Sequence, residues 1–302
     1  MATASDYLKL HVVVFLWGTT SVMAKLVSMP ATEMLLYRTL LAAGGLWVVA
    51  RISRASLQQS PADVLRLLGI GMVVGLHWVA FFVGGQISTA SLSLVGFATC
   101  SLWAAVLEPL ANGKKIRPVE ILLGSVVLAG LYLIFRFEFR YWEGFLLSVL
   151  SGLLAAVFSI MNSRLVHRIP SVTIAFYEMA GAFLFVVLLL PLYQVTYSTT
   201  GVLDLVPEPM DWAYLFILSM FCSVFAFTMS VDLLKKVSVF TVQLLLNLEP
   251  IYGILLAILV LGEHRMMGWG FAAGTAVILM AVFSYPVLTK RYGQASSPDQ
   301  TT

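Results

Sequence analysis

The sequence predicts an all-α integral membrane protein with ten transmembrane helices, built from two inverted five-helix repeats. Three observations predict it. Of the 302 residues 60% are hydrophobic and only 11% are charged, with a mean hydropathy of +0.94, whereas a soluble domain carries about 25% charged residues. Apolar stretches recur along the chain at a length near the roughly 20 residues that cross about 30 Å of hydrocarbon. The pattern of the first half also returns in the second.

The ten stretches are 8–27, 31–50, 65–86, 89–111, 118–135, 144–163, 171–193, 212–231, 237–262 and 267–288. Lipid cannot satisfy a backbone amide, so each is expected to be helical. Pro30 divides the first from the second, and the basic, polar stretch after Arg51 divides the second from the third. Gly113 and Pro118 mark the turn before the fifth, and Pro170 marks the turn before the seventh. Trp142, Trp212 and Trp269 stand at helix starts, where amphipathic rings anchor in the interface. The longest loop is 194–211, and 292–302 reads as a polar tail. No cleavable leader is expected, because the first apolar stretch begins within ten residues and lacks an A-x-A-like site.

With the N-terminus inside, thirteen of the 18 basic residues fall on the cytoplasmic side, among them Arg51, Lys114, Arg168 and Lys236. Lys25, Arg136, Arg140 and Arg265 fall outside, and Arg38 stays within the membrane. This imbalance follows the positive-inside rule. Both termini are therefore expected to be cytoplasmic, in a multi-pass protein of the plasma (bacterial inner) membrane. The net charge of +3 is a topology signal, and no nucleic-acid partner is implied. Cys100 and Cys222 lie in apolar runs and read as small core residues.

The repeat is visible in Pro30-x6-Tyr37-Arg38 and Pro170-x6-Tyr177-Glu178, 140 residues apart. KKIRPVEILLG (114–124) aligns with HRMMGWGFAAG (264–274) at an offset of 150, the loop 194–211 accounting for the difference. The expected units are 8–136 and 141–288, followed by a cytoplasmic tail 289–302. Five spans is an odd number, so the second copy inserts upside down, a recurring plan of secondary transporters with a site near the midplane.

LWGTTSVMAK (16–25), MLLYRTLLA (34–42) and above all LNLEPIYGILLAILVLGE (246–263) resemble the EamA-type transporters of the drug/metabolite transporter superfamily. The resemblance runs from about residue 8 to 288. It implies ten helices, two inverted repeats, and a central cavity through which small metabolites pass by alternating access, usually outward. LEP (107–109) lies 141 residues before LEP (248–250), so the two copies do not occupy equivalent positions.

A charge at mid-membrane costs about 2.5–3.5 kcal/mol on insertion scales, so buried ones are candidates for function. At 1.5 Å per residue, Glu249 and His77 are the deepest titratable groups. His77 reads either as a neutral ring bonded to a backbone carbonyl or as a cavity residue. Arg38 and Glu178 sit a turn or two below opposite surfaces, Arg38 suiting a pairing between helices. Glu108 is expected to pair with Lys114 and Lys115, Asp232 with Lys235 and Lys236, and Glu263 to cap its helix in solvent. Pro250 cannot donate to Leu246, which predicts a kink there and a freed carbonyl. At 100° per residue, Gln243 and Asn247 share a face toward the cavity, while Glu249 turns to a structural or gating partner on a neighbouring helix. Trp17, Trp78, Phe81, Trp103 and Tyr252 complete the expected cavity.

The expected activity is secondary transport of small metabolites, with export of amino acids or similar amphiphilic solutes and proton coupling through Glu249, Glu178 or His77. An intramembrane enzyme acting on lipid-linked substrates and a passive channel are the alternatives. His11, His77, His167 and His264 are scattered, no H-E-x-x-H or P-loop pattern occurs, and neither metal nor cofactor is expected.

Overall fold

Residues 2–88, 90–135, 141–196, 203–261 and 269–293 are described by a computed structural model, which is all-helical over them. The first half holds α1 (Ala4–Leu26), α2 (Ala31–Ile52), α3 (Pro61–Gln86), α4 (Ala90–Ala98), α5 (Cys100–Ala111) and α6 (Pro118–Phe135). The second holds α7 (Trp142–Leu165), α8 (Ser171–Thr196), α9 (Pro209–Ile217), a π-helical segment (Leu218–Phe225), α10 (Ala226–Leu233), α11 (Val239–Leu246), α12 (Glu249–Leu261) and α13 (Trp269–Gly293). Among the described residues six helices are long and apolar enough to cross a membrane, with shorter apolar helices at Pro118–Ile134 and Ala272–Tyr285.

Local chemistry sets the helix starts. Thr3 and Asp6 form a capping box before α1, and Asp6 also accepts from the Lys236 ammonium at 2.9 Å, which holds its carboxyl well below the usual carboxylate range. The Ser60 hydroxyl caps α3 with Pro61 in its first turn, where a missing N–H costs nothing. Glu208 and Asp211 form a capping box before α9. Beyond α5 the chain turns at Gly113, whose φ of +64° a side chain would resist.

The two halves meet through matching pairs of elements. α1 lies along α12, and α7 lies along α4 and α5; α2 packs on the π segment and α9, and α8 packs on α3; α6 and α13 pack on each other. Several of these seams are backbone to backbone. A Cβ on Gly71 would overlap the Glu178 carbonyl, and one on Gly181 would overlap that of Leu68, so α3 and α8 touch without intervening side chains. Cys100 and Cys222 are free and buried. Asp232 takes Lys235 at 2.6 Å, but Lys236 goes to Asp6. Glu263, His264, Arg265, Arg136 and Arg140 lie outside the described residues.

Candidate functional site

The site forms where two helices are interrupted. α11 starts with the Ser238 hydroxyl on the Thr241 amide and ends at Leu246. The next two amides tighten to i−3 partners, Asn247 to Leu244 at 3.3 Å and Leu248 to Leu245 at 3.0 Å, before α12 begins at Glu249. The Asn247 amide donates to the carbonyls of Gln243 and Leu244, filling acceptors that a helix end leaves open. Pro250 therefore occupies the first turn of a new helix, and the predicted kink lies at Asn247–Leu248 instead.

The interruption also corrects the predicted facing. A rotation of 100° per residue holds only along an unbroken helix. Glu249 lines the cavity with Gln243, while Asn247, 2% exposed, is spent on its own backbone.

The cavity has an empty volume of about 700 Å³, its opening included. Both halves wall it. Trp17, Trp78, Phe81, Phe82 and Phe97 come from α1, α3 and α4, and Phe158 and Phe227 from α7 and α10. The polar lining is Thr20, Arg38, His77, Ser159, Ser230, Gln243 and Glu249.

Arg38, His77 and Gln243 have defined partners. The Arg38 Nε donates to the Ser223 hydroxyl at 2.8 Å, and its guanidinium lies 4.5 Å from the centre of the Trp78 ring. Among the described residues no ion pair holds it. His77 Nδ1 lies 2.9 Å from the Ser151 carbonyl oxygen. The Ser151 hydroxyl meets the same nitrogen at 2.8 Å, so Nδ1 is taken up by Ser151 through both its hydroxyl and its carbonyl. The Gln243 amide gives both N–H groups away, to the Ala155 carbonyl and the Ser159 hydroxyl, and its Oε1 is buried without a partner. The cavity thus holds a guanidinium, a carboxyl group and the open Gln243 oxygen inside a wall of rings.

The π segment positions part of this site. Its wider turns release carbonyls from the α-helical ladder. The Cys222 carbonyl accepts from the Trp17 indole at 2.8 Å, the Ser219 hydroxyl donates to the Arg38 carbonyl, and Ser223 meets the guanidinium. Among the described residues no group of His, Cys, Asp and Glu could hold a metal ion.

Comparison with known proteins places this architecture. The model of the EamA-like transporter family matches residues 6–136 and 142–285, once in each half. The chain belongs to the EamA-like transporter family. A solved structure described only as "Crystal structure of protein" superposes with a TM-score of 0.79 at 16% identity, covering 96% of this chain and 100% of that one, a likeness of fold. No curated protein matches significantly.

Within this EamA-like transporter the predicted residues divide. Trp17, His77, Trp78, Phe81 and Gln243 line the cavity together with Arg38 and Glu249. Trp103, Asn247 and Tyr252 are not among its lining side chains. Trp103 packs against the core with its indole nitrogen buried, and the Tyr252 hydroxyl meets His11 Nδ1 at 3.2 Å. Glu178 is fully buried away from the cavity and accepts from Asn162 at 3.1 Å. Glu108 differs from its expected pairing, since its carboxylate receives the Val239 and Phe240 amides at 2.9 and 2.8 Å and caps α11. Nothing in the sequence singles out Phe97, Phe158 or Phe227. Each lies in a run so rich in similar residues that no local feature marks it.

Proposed function

We propose that this EamA-like transporter exports amino acids or similar small amphiphilic solutes across the plasma (bacterial inner) membrane by alternating access. In this reading ten spans form two inverted five-helix repeats, both termini are cytoplasmic, and the chain carries out no covalent chemistry. The observation that carries it is the cavity between the halves, lined by Arg38, Glu249, Gln243 and His77 among aromatic rings. A substrate carboxylate suits the Arg38 fork, an ammonium suits the acceptors, and an apolar side chain suits the rings. The break at Asn247–Leu248 gives α11 and α12 the freedom to tilt separately. Proton coupling belongs to this reading because titratable groups lie inside the membrane region.

Counterflow in proteoliposomes tests it, using radiolabelled phenylalanine, leucine, threonine and lysine. The expected result is saturable exchange, accelerated by the same amino acid on the opposite side. Linear flux without acceleration would identify a channel. No exchange with any of the four would reject the substrate class.

A further inference from the structure

The buried acid of the second half has a chemistry that the cavity does not use. Glu178 is 0% exposed and Asn162 1%. The Asn162 Nδ2 donates to Glu178 Oε2 at 3.1 Å, while Glu178 Oε1 and Asn162 Oδ1 are both buried with no partner among the described residues. An ionised carboxylate has only acceptors, so this arrangement would bury a charge on a single neutral hydrogen bond and leave a further acceptor open beside it. Exchanging the amide's oxygen and nitrogen does not help, because one amide oxygen would then face the acid.

Among the described residues no neighbouring charge offers relief. α2, α3 and α10 pack on α8, and α7 delivers Asn162. On α2, Arg38 is held by Ser223 and Trp78, and Arg51 lies over Trp47. On α3, His77 bonds to Ser151, and Asp63 binds Arg168 and Arg66. Arg164 of α7 donates to the Ala111 carbonyl, and Asp232 of α10 takes Lys235. Glu33 and Glu143, the remaining acids on these elements, add negative charge only.

We propose that Glu178 and Asn162 form a proton-binding site, in which the protonated acid donates to the amide oxygen while the amide donates back. One proton then satisfies both open oxygens. The site lies outside the cavity, and its access to water is set by the seam of α3 on α8. Gly71 brings the backbone of α3 onto the Glu178 carbonyl, and Gly181 does the same at Leu68. Water reaches the acid when that seam parts, and the seam joins one repeat to the other. Proton release is therefore tied to movement of the halves, which deepens the transport reading and rests on it for the coupling step.

Infrared difference spectroscopy on the purified full-length protein tests the site without any substrate. At neutral pH the wild type shows a protonated-carboxyl C=O stretch that Glu178→Gln removes. Asn162→Ala moves the same band to higher wavenumber, as loss of a hydrogen bond to it requires. If Glu178→Gln fails to fold, the shift in Asn162→Ala stands as the test by itself. A difference spectrum of wild type minus Glu178→Gln showing only carboxylate bands, or an Asn162→Ala band that does not move, overturns the proposal. Coupling is read separately in proteoliposomes. Glu178→Gln is expected to keep phenylalanine exchange at equal pH and to lose its acceleration by a pH gradient. Acceleration that survives the substitution makes the proton structural. Absence of all exchange, with the infrared band present, defeats the transport reading and leaves the proton site intact.

Discussion

The second helix of each half, α2 and α8, begins in the same way and diverges at one residue. Tyr37 and Tyr177 occupy matching places, and each hydroxyl donates to a backbone carbonyl in the loop that leads to the third helix of the other half, Leu205 and Leu57 respectively. The following residues, Arg38 and Glu178, carry opposite charge and have opposite settings. Arg38 opens on the cavity, and Ser223 of the π segment reaches its guanidinium. Glu178 is sealed by the bare backbone at Gly71 and meets Asn162. Duplication supplied one scaffold twice. The neighbouring third helix, π-helical on one side and regular on the other, decided what each copy could do with a charge.

Removing the charge that faces the cavity is the strongest way to break this comparison. Arg38→Leu deletes the cationic partner of the proposed substrate carboxylate. A hydrogen bond to a charged group contributes about 1.5–3 kcal/mol, which corresponds to a loss of roughly 10- to 100-fold in counterflow. Arg38→Lys restores part of it, because an ammonium keeps the charge without the fork. Counterflow within twofold of wild type in Arg38→Leu would take the arginine out of substrate binding.

The next test strikes the seam. Gly71→Ala forces α3 away from the Glu178 backbone, and overpacking of this kind costs about 1–3 kcal/mol, read as a lower thermal midpoint in detergent. Gly44, on α2, has open space where its Cβ would lie. Gly44→Ala is expected to be neutral or to stabilise by about 0.5–1 kcal/mol. Equal midpoints for the two variants would show that the seam yields freely.

The smallest effect sharpens the equivalence itself. Tyr37→Phe and Tyr177→Phe each remove one hydroxyl bond worth about 0.5–1.5 kcal/mol. Their losses in unfolding free energy should agree within error. A clear inequality would mean that the two loops are held differently despite their shared anchor.

The helices and the repeat were legible because lipid imposes length and apolarity on every span, and Pro30, Tyr37, Pro170 and Tyr177 survive as paired marks. Depth along a helix pointed to His77 and Glu249, both of which line the cavity. Facing was not legible, since the turn at Asn247–Leu248 cancels a rotation counted through it. The π segment has no residue that announces it; its wider turns show only in where the Cys222 carbonyl and the Ser223 hydroxyl point. Glu108 illustrates the remaining gap. Nearby lysines suggested a local pair, while its partners, the amides of Val239 and Phe240, lie more than a hundred residues away.

The interruption between α11 and α12 bears on how fast the protein could change shape. A continuous helix resists bending because each added degree strains an intact ladder of amide bonds. Here the regular ladder is already broken at Asn247–Leu248, and the Asn247 side chain holds the carbonyls of Gln243 and Leu244. Swinging one segment against the other strains two short i−3 bonds rather than a full ladder, so the activation barrier should come mainly from rings and aliphatic groups sliding past one another.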